Sequence, residues 1–311
     1  MALRSDLREV WTLGGLSTRQ LARRVFNAVM EDNVMGYAAQ LAYYFFFSLF
    51  PFFLFLAALL PYVPVPDLMD QIMELVGDFL AAEAAAIIQE NVQDLVAHPR
   101  GGLLSFSILL ALVLASNAVA AISDSLNHAY GVKEGRSFWK VRAIALLLTI
   151  GLAGMMIVSM ALLIFGPELG GWLAEQAGVG RAFDVVWEVV RWPVTVFLLM
   201  LVVALLYYFA PDVEQEWRWI TPGSVLSVIA WVAMSLVFRY YVENFGQYNV
   251  TYGSIGAIIV LLTWMYLSGL VLLIGGEINA EIENAAQGGK NIGEKKLPRK
   301  QGPAEAGAEE G

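Results

Sequence analysis

The sequence predicts an all-α integral membrane protein with six transmembrane helices, an N-terminal amphipathic helix and an extracytoplasmic helical hairpin. Of its 311 residues, 58% are hydrophobic and 15% are charged, whereas a soluble domain has about 45–50% apolar and about 25% charged residues. The apolar residues fall into six blocks, each long enough at ~1.5 Å per residue to cross a hydrocarbon core of ~30 Å. Lys and Arg are concentrated in the segments on one side of these blocks.

The predicted membrane domain covers residues 38–286, and prolines mark several helix boundaries within it. Pro51 predicts a kink in the first span, because proline removes a backbone donor and clashes with the preceding turn. Pro167, after Gly166, predicts the end of the third span, and Pro193 and Pro222 predict the starts of the fourth and fifth. The six predicted spans are 38–60, 102–123, 142–165, 193–210, 220–241 and 254–276.

Residues 1–37 form a predicted cytoplasmic N-terminus that contains one amphipathic helix, at 17–35. Leu21, Val25 and Val29, with the adjacent Phe26 and Met30, are predicted to form one face of this helix, whereas its arginines lie elsewhere. A basic amphipathic helix directly before a span is typical of the lipid headgroup layer. The alternative is a short helix that packs on the cytoplasmic loops of the same protein.

Two further segments lie outside the spans. Seven acidic residues interrupt positions 67–99, although the apolar residues there keep helical spacing. This pattern predicts an extramembrane helical hairpin with an acidic outer face. Residues 287–311 are rich in Gly, Lys, Glu and Pro, a composition typical of a disordered tail.

The distribution of positive charge predicts the orientation of the spans. Fifteen of the nineteen Lys and Arg residues fall in the N-terminus, the second and fourth loops and the tail, and three fall in the other loops. Because cytoplasmic segments carry the excess of Lys and Arg, both termini are expected in the cytoplasm. Charged residues within the first nine positions interrupt any signal-peptide apolar region.

Several classes of function are excluded by composition. The chain has no cysteine, so disulfides, thiolate metal ligands and cysteine nucleophiles are absent. His98 and His128 are far apart, and no HExxH or phosphate-loop motif occurs. The net charge of −9 argues against a nucleic-acid partner. We therefore expect no enzymatic activity, no metal site and no cofactor.

Polar residues inside four of the spans are the candidate functional groups, because polar side chains in lipid are costly and usually face a bundle interior. The first, second, fifth and sixth spans carry polar stripes that are predicted to enclose one cavity. Each group also has a structural alternative. The hydroxyls could serve only to join helices through hydrogen bonds, and the carboxylates could lie exposed at the level of the lipid headgroups. The arginine at position 239 could extend to the membrane interface, and 248–253 could be a structural turn. Pro51, Gly253 and Gly256 are predicted to kink helices or allow close packing. The candidate cavity or gate residues are Gln40, Tyr44, Ser48, Asn117, Asp124, Asn127, His128, Arg239, Asn249, Tyr252, Thr263, Tyr266 and Glu277.

Four segments resemble one known family. The run NFGQYNVTYGSIGAIIVLLTWMYLSGLVLLIGGEINAEIE is similar to the C-terminal signature of the YihY/virulence factor BrkB membrane-protein family. The segments AAQLAYYFFFSLFPFFLFLAALL, SDSLNHAYGVKEGRSFWKVR and PDVEQEWRWITPG agree with it, so the resemblance covers about 20–285. It implies a bacterial inner-membrane protein with six spans. The family was formerly labelled ribonuclease BN-like, but two isolated histidines cannot supply the metal ligands of a nuclease.

Two functions remain open at this point. The first is a transporter or permease for a small solute, ion or lipid that works without its own ATPase. The second is a non-transporting envelope scaffold that binds lipid or cell-wall machinery through the hairpin at 67–99. Both require the lipid bilayer as a partner, and the sequence does not choose a substrate or an oligomeric state.

Overall fold

The computed structural model describes residues 13–59, 101–177, 181–245, 254–286 and 291–296. Within these ranges the chain is helical, with no strand, and begins with a short 3₁₀ turn at Leu13–Gly15. The seven α-helices are α1 (Thr18–Glu31), α2 (Val34–Leu59), α3 (Gly101–Ala129), α4 (Phe138–Ala177), α5 (Arg181–Phe209), α6 (Trp217–Phe245) and α7 (Ser254–Ala285).

Six of these helices, α2 to α7, are long and apolar enough to cross a membrane, which confirms the predicted number of spans. The apolar spanning segments are Val34–Leu59, Gly101–Ala129, Phe138–Ser159, Val189–Phe209, Trp217–Asn244 and Gly256–Ala285. The predicted hairpin at 67–99 lies outside the described residues.

The helix boundaries predicted from proline are wrong at three places. Helix α4 continues through Pro167 to Ala177, and Pro193 and Pro222 lie inside α5 and α6 instead of at their starts. Pro193 and Pro222 lie inside apolar spanning segments. Such surroundings offer no water to unpaired backbone groups, so the chain there remains helical around a proline. Pro51 lies inside α2, as predicted.

The chain divides into two compact units. The smaller unit, Tyr44–Ala115, includes the second part of α2 and the first part of α3. In it, Phe46 and Phe50 stack edge to face at 5.6 Å, and Ser48 donates a 2.7 Å hydrogen bond to the carbonyl of Phe45. The Ser48 hydroxyl is therefore bonded within its own helix.

The larger unit, Met1–Tyr43 with Ser116–Gly311, contains the other helices. Helix α7 packs against α6 and α1, while α5 packs against α4 and α6. Ser17 begins α1 with a capping box, in which it and Gln20 bond each other's backbone N–H groups. Of the predicted apolar face of α1, Leu21, Val25 and Val29 are buried. Phe26 and Met30 are exposed, because they lie one position further round the helix and point away from the packed side. Its location in the headgroup layer stays a prediction.

Two glycines bring α6 and α7 into backbone contact. A Cβ atom added at Gly223 would overlap the carbonyl oxygen of Gly275. A Cβ atom added at Gly275 would overlap Ser227 Oγ. Only residues without a side chain fit here, and the close approach places the polar end of α7 against the start of α6. Gly256, predicted to allow close packing, is buried, and Gly253 lies outside the described residues.

Candidate functional site

Buried polar and charged residues concentrate where α3, α5 and α7 end and α2 and α6 begin. Helix α7 does not stop at the predicted residue 276 but continues to Ala285, so its acidic residues stand on helical turns. Most positions from 273 to 283 are buried, whereas positions 274, 278, 281, 284 and 285 are partly exposed. We call this region the polar end. It comprises the buried residues Asn127, Tyr130, Glu277, Asn279 and Glu283, the partly exposed Tyr37, Arg136 and Asp212, and the exposed Asp124, His128 and Glu134 at its border.

Glu277 is the most unusual side chain of the polar end. It is 1% exposed, and neither of its carboxyl oxygens has a hydrogen-bond partner among the described residues. The charged groups that act on it electrostatically among the described residues are Asp32 and Glu281, which are also acidic. Glu281 is itself paired with Arg24, at 3.6 Å. A buried carboxyl with only acidic neighbours is an uncommon arrangement, because buried charges are normally paired.

Asn279, two residues further along α7, links this helix to α6. Its Oδ1 accepts a 2.7 Å hydrogen bond from the backbone N–H of Gly223, whereas its Nδ2 has no partner in the described part of the chain. One turn deeper, the Tyr207 hydroxyl of α5 lies 2.8 Å from Ser227 Oγ and donates to the carbonyl of Leu272. Helices α5, α6 and α7 are thus joined by polar contacts.

Tyr130 follows the last turn of α3 and is buried beside the acidic residues of α7. Burial raises the pKa of its hydroxyl far above the ordinary value, and the nearby Glu283 raises it further. The Gln215 side chain, which is also buried, partly offsets this rise. Tyr130 is therefore a neutral hydrogen-bonding group at the boundary of the buried carboxyls.

Arg136 organises the loop between α3 and α4. Its guanidinium, 8% exposed, donates to Glu134 at 2.7 and 2.9 Å. It also donates to Ser123 Oγ at 3.0 Å and to the carbonyl of Ala210 at 2.8 Å. The hydrogen bonds from Arg136 hold the pKa of Glu134 at about 2, well below its ordinary value. This arginine therefore ties the α3–α4 loop to the end of α5.

Asn127 completes the same junction from the last turn of α3. Its Nδ2 donates to Glu134 at 3.1 Å, and its Oδ1 accepts from the backbone N–H of Asp212 at 2.7 Å. The Asp212 carboxylate accepts a 2.9 Å bond from the N–H of Gly135. Two loops that are distant in sequence are thereby fixed to each other.

A short segment after α7, residues 291–296, lies across this junction, and we call it the strap. Its Gly293 N–H donates to the carbonyl of Tyr130 at 3.0 Å. Lys295 pairs with Asp212, and the Lys295 carbonyl accepts from Glu214 N–H at 2.7 Å. The strap thus binds both loops; it belongs to the tail predicted as disordered, and the rest of that tail lies outside the described residues.

A smaller hydrogen-bonded group in the polar end consists of Tyr37, Asp124 and His128. The Tyr37 hydroxyl donates to Asp124 Oδ2 at 2.8 Å and lies 3.3 Å from His128 Nδ1. His128 acts electrostatically on Asp32, whose pKa is raised by burial and partly lowered by that histidine. Asp32 also acts electrostatically on Glu277.

The structure brings together four of the predicted site residues, namely Asp124, Asn127, His128 and Glu277, and separates others from them. Asn117 accepts a 2.6 Å bond from Arg142 of α4. Arg239 is 74% exposed and pairs with Glu243 on its own helix at 2.7 Å. Of the remaining predicted residues, Gln40 is exposed, Tyr44 and Tyr266 are partly buried, Thr263 bonds its own helix, and Asn249 and Tyr252 lie outside the described residues.

Sequence reasoning did not select the other seven residues of the polar end, namely Tyr37, Tyr130, Glu134, Arg136, Asp212, Asn279 and Glu283, nor Tyr207 one turn deeper. Their signal was weak, because each has an ordinary position near a span end or in a loop. The Asn279 amide, two residues from Glu277, was the clearest available clue. In the described ranges, no group of three His, Cys, Asp or Glu residues is placed to hold a metal ion.

Comparison with known proteins gives the chain its family. The family model described as virulence factor BrkB matches residues 25–300. The protein YfkH of Bacillus subtilis (strain 168), whose name describes it only as ribonuclease-like, is 41% identical over 83% of this chain and 93% of its own length. A UPF0761 membrane protein of Tolumonas auensis is 24% identical over 91% of both chains.

A longer UPF0761 membrane protein of Xanthomonas campestris pv. campestris (strain B100) is 25% identical over 84% of this chain, which spans 60% of its length. No solved structure matches the chain. The matched range, 25–300, includes all six apolar helices and the polar end. This chain, a multi-pass membrane protein, belongs to the virulence factor BrkB family.

Proposed function

We propose that this protein is a permease-like transporter for a small solute, ion or lipid, without enzymatic activity of its own. The observation that carries the proposal is Glu277, a buried carboxyl inside an apolar span that has no hydrogen-bond partner among the described residues. An ionisable group in that position is costly, and such groups commonly mark substrate or ion pathways. A purely structural residue at the same place would be better served by an apolar side chain.

The surroundings of Glu277 support this interpretation. Asn279 has an unpartnered amide nitrogen in the described part of the chain and is equally buried. Tyr130 and Glu283 add further buried polar groups at the same end. The polar atoms of Glu277 and Asn279 that lack a partner in the described part of the chain can bind a polar substrate.

We also propose that the polar end faces the cytoplasm of a bacterial inner membrane, with both termini on that side. The support is the distribution of Lys and Arg, since Arg24, Arg136 and Lys295 all lie at the polar end. In that orientation the buried carboxyls lie near the inner membrane surface.

The experiment is transport by purified protein in sealed vesicles. Three classes of tracer are tested against empty vesicles: small organic solutes, inorganic ions and fluorescent phospholipids. We expect one class to cross, and we expect Glu277→Gln to reduce that flux to background. The matched control is Glu216→Gln, because Glu216 lies at the same end but is partly exposed and paired with Arg218.

Two results would argue against the proposal. If Glu277→Gln and the wild type transport equally, Glu277 is not on the pathway. If no tracer class moves, the envelope scaffold becomes the better hypothesis. That hypothesis is then tested by deletion of 67–99, the segment predicted as its docking surface.

A further inference from the structure

The charges around Glu277 limit the kind of ligand that its carboxyl can bind. The groups that act on it are Asp32, in the connection between α1 and α2, and Glu281, on its own helix. Glu277 in turn acts on Tyr130, after α3, which also faces Glu283. Each of these groups is acidic or neutral.

The positive charges of the polar end are already engaged. Arg24 pairs with Glu281, Arg136 pairs with Glu134 and Asp212, and Lys295 pairs with Asp212. His128 is bonded to Tyr37 and acts on Asp32. None of the cations in these described contacts reaches the Glu277 carboxyl.

A buried carboxyl in this situation can be stabilised by a metal ion or by a proton. A metal ion needs several oxygen or nitrogen ligands at close range, and the described residues contain no group of acidic or histidine side chains suited to hold one. A proton needs a single oxygen atom. A neutral carboxyl also avoids the cost of a buried, unpaired charge and removes repulsion from Asp32 and Glu281.

We propose that Glu277 is a proton-binding site, whose carboxyl carries a proton in the folded protein at neutral pH and releases it during the working cycle. On binding, one carboxylate oxygen forms an O–H bond with a proton from water at the polar end. On release that bond breaks, the proton returns to water and the negative charge stays on the carboxylate. The link between this exchange and substrate movement rests on the transport function proposed above.

The first test measures protonation directly in full-length protein reconstituted in lipid. Infrared spectra at neutral pH are compared for the wild type, Glu277→Gln and the control Glu216→Gln. We expect a carbonyl band of a protonated carboxylic acid in the wild type and the control that is missing from Glu277→Gln. The same band in all three proteins would overturn the proposal, as would its absence from the wild type.

A second measurement does not depend on the folding of a variant. A membrane-permeant carbodiimide reacts with protonated carboxyls in apolar surroundings, and mass spectrometry of the wild-type peptides locates the modified residue. We expect modification at Glu277 that declines as the pH is raised. Equal modification of Glu277 and the partly exposed Glu216, or none at Glu277, would contradict a protonated Glu277.

A flux measurement with a pH gradient distinguishes the proton-binding site from the proposed transport function. For the tracer class that moves, a pH gradient across the vesicle should stimulate wild-type flux and should not stimulate any flux left in Glu277→Gln. Wild-type flux that is the same with and without the pH gradient would overturn the proposed link between proton exchange at Glu277 and transport. It would leave the transport proposal itself intact. A protonated Glu277 in vesicles that move no tracer would overturn the transport proposal and keep the proton site.

Discussion

The backbone N–H of Gly223 donates a 2.7 Å hydrogen bond to Asn279 Oδ1, and this single contact fixes the start of α6 to the last turns of α7. The bond is possible because Gly223 and Gly275 lack side chains, so that the two helices touch through their backbones. The polar end depends on this approach, since Glu277 lies between Gly275 and Asn279 on the same helix.

Replacement of Asn279 by Ala should destabilise the protein by about 1–3 kcal/mol, because a buried N–H loses its acceptor. The measurement is thermal unfolding in detergent. Asn244→Ala is the matched control, since Asn244 is exposed and bonds only the carbonyl of Tyr240 on its own helix. Equal midpoints for both variants would show that the Gly223–Asn279 bond contributes little.

Replacement of Gly223 by Ala should destabilise the α6–α7 contact by about 1–3 kcal/mol, because the new methyl group would overlap a backbone carbonyl that cannot rotate away. Gly151→Ala in α4 is the control, because a Cβ atom there has no neighbour within 4 Å. That control should keep or slightly increase stability, as Ala favours a helix over Gly by about 1 kcal/mol. Unfolding midpoints that fall equally in both variants would rule out a specific steric effect.

Glu134 should make the stability of the protein sensitive to acid. Its pKa is about 2 in the folded state, below its ordinary value, so its contribution is present above the ordinary value and lost as the pH falls toward 2. The difference in unfolding midpoint between wild type and Glu134→Gln should therefore be largest near neutral pH and shrink below about pH 4.5. A difference that stays constant with pH would assign the effect of the substitution to packing.

Lys295 should hold the strap over the two loops by its pairing with Asp212. Lys295→Ala should cost only about 0.2–1 kcal/mol, because the lysine is partly exposed. Hydrogen exchange should become faster at the N–H groups of Gly135 and Glu214, and the effect should shrink at high salt. Lys296→Ala is the control, and exchange that rises equally in both variants would argue against a specific pairing.

The orientation of the spans can be tested by single cysteines, because the chain contains none of its own. Cysteines at positions 89 and 176 should react with a membrane-impermeant reagent from outside the cell, and those at 137 and 287 should be protected. The reverse pattern would place the polar end on the outer side of the membrane. The proposed location of Glu277 near the cytoplasm would then be wrong.

The sequence by itself determined the class of the protein and the number of its spans. Length and hydropathy of a segment are local properties, and they suffice because a spanning segment must satisfy its own backbone hydrogen bonds. The resemblance to the BrkB family was also readable from continuous segments, and the family model confirms it. The sequence did not show where α7 ends, since its apolar stretch stops before the helix does.

Only the tertiary structure decided which polar residues meet. Arg239 resembled a functional arginine in the sequence, yet its partner is Glu243, one turn away on an exposed face. Arg136 resembled an ordinary loop arginine, yet it binds the carbonyl of Ala210, 74 residues away. Burial and pairing of a polar group depend on neighbours that are distant in the chain, so helical spacing can place a residue on a face but cannot show what covers that face. Glu277 stands out in this way, because the tertiary structure buries its carboxyl and gives it no hydrogen-bond partner among the described residues.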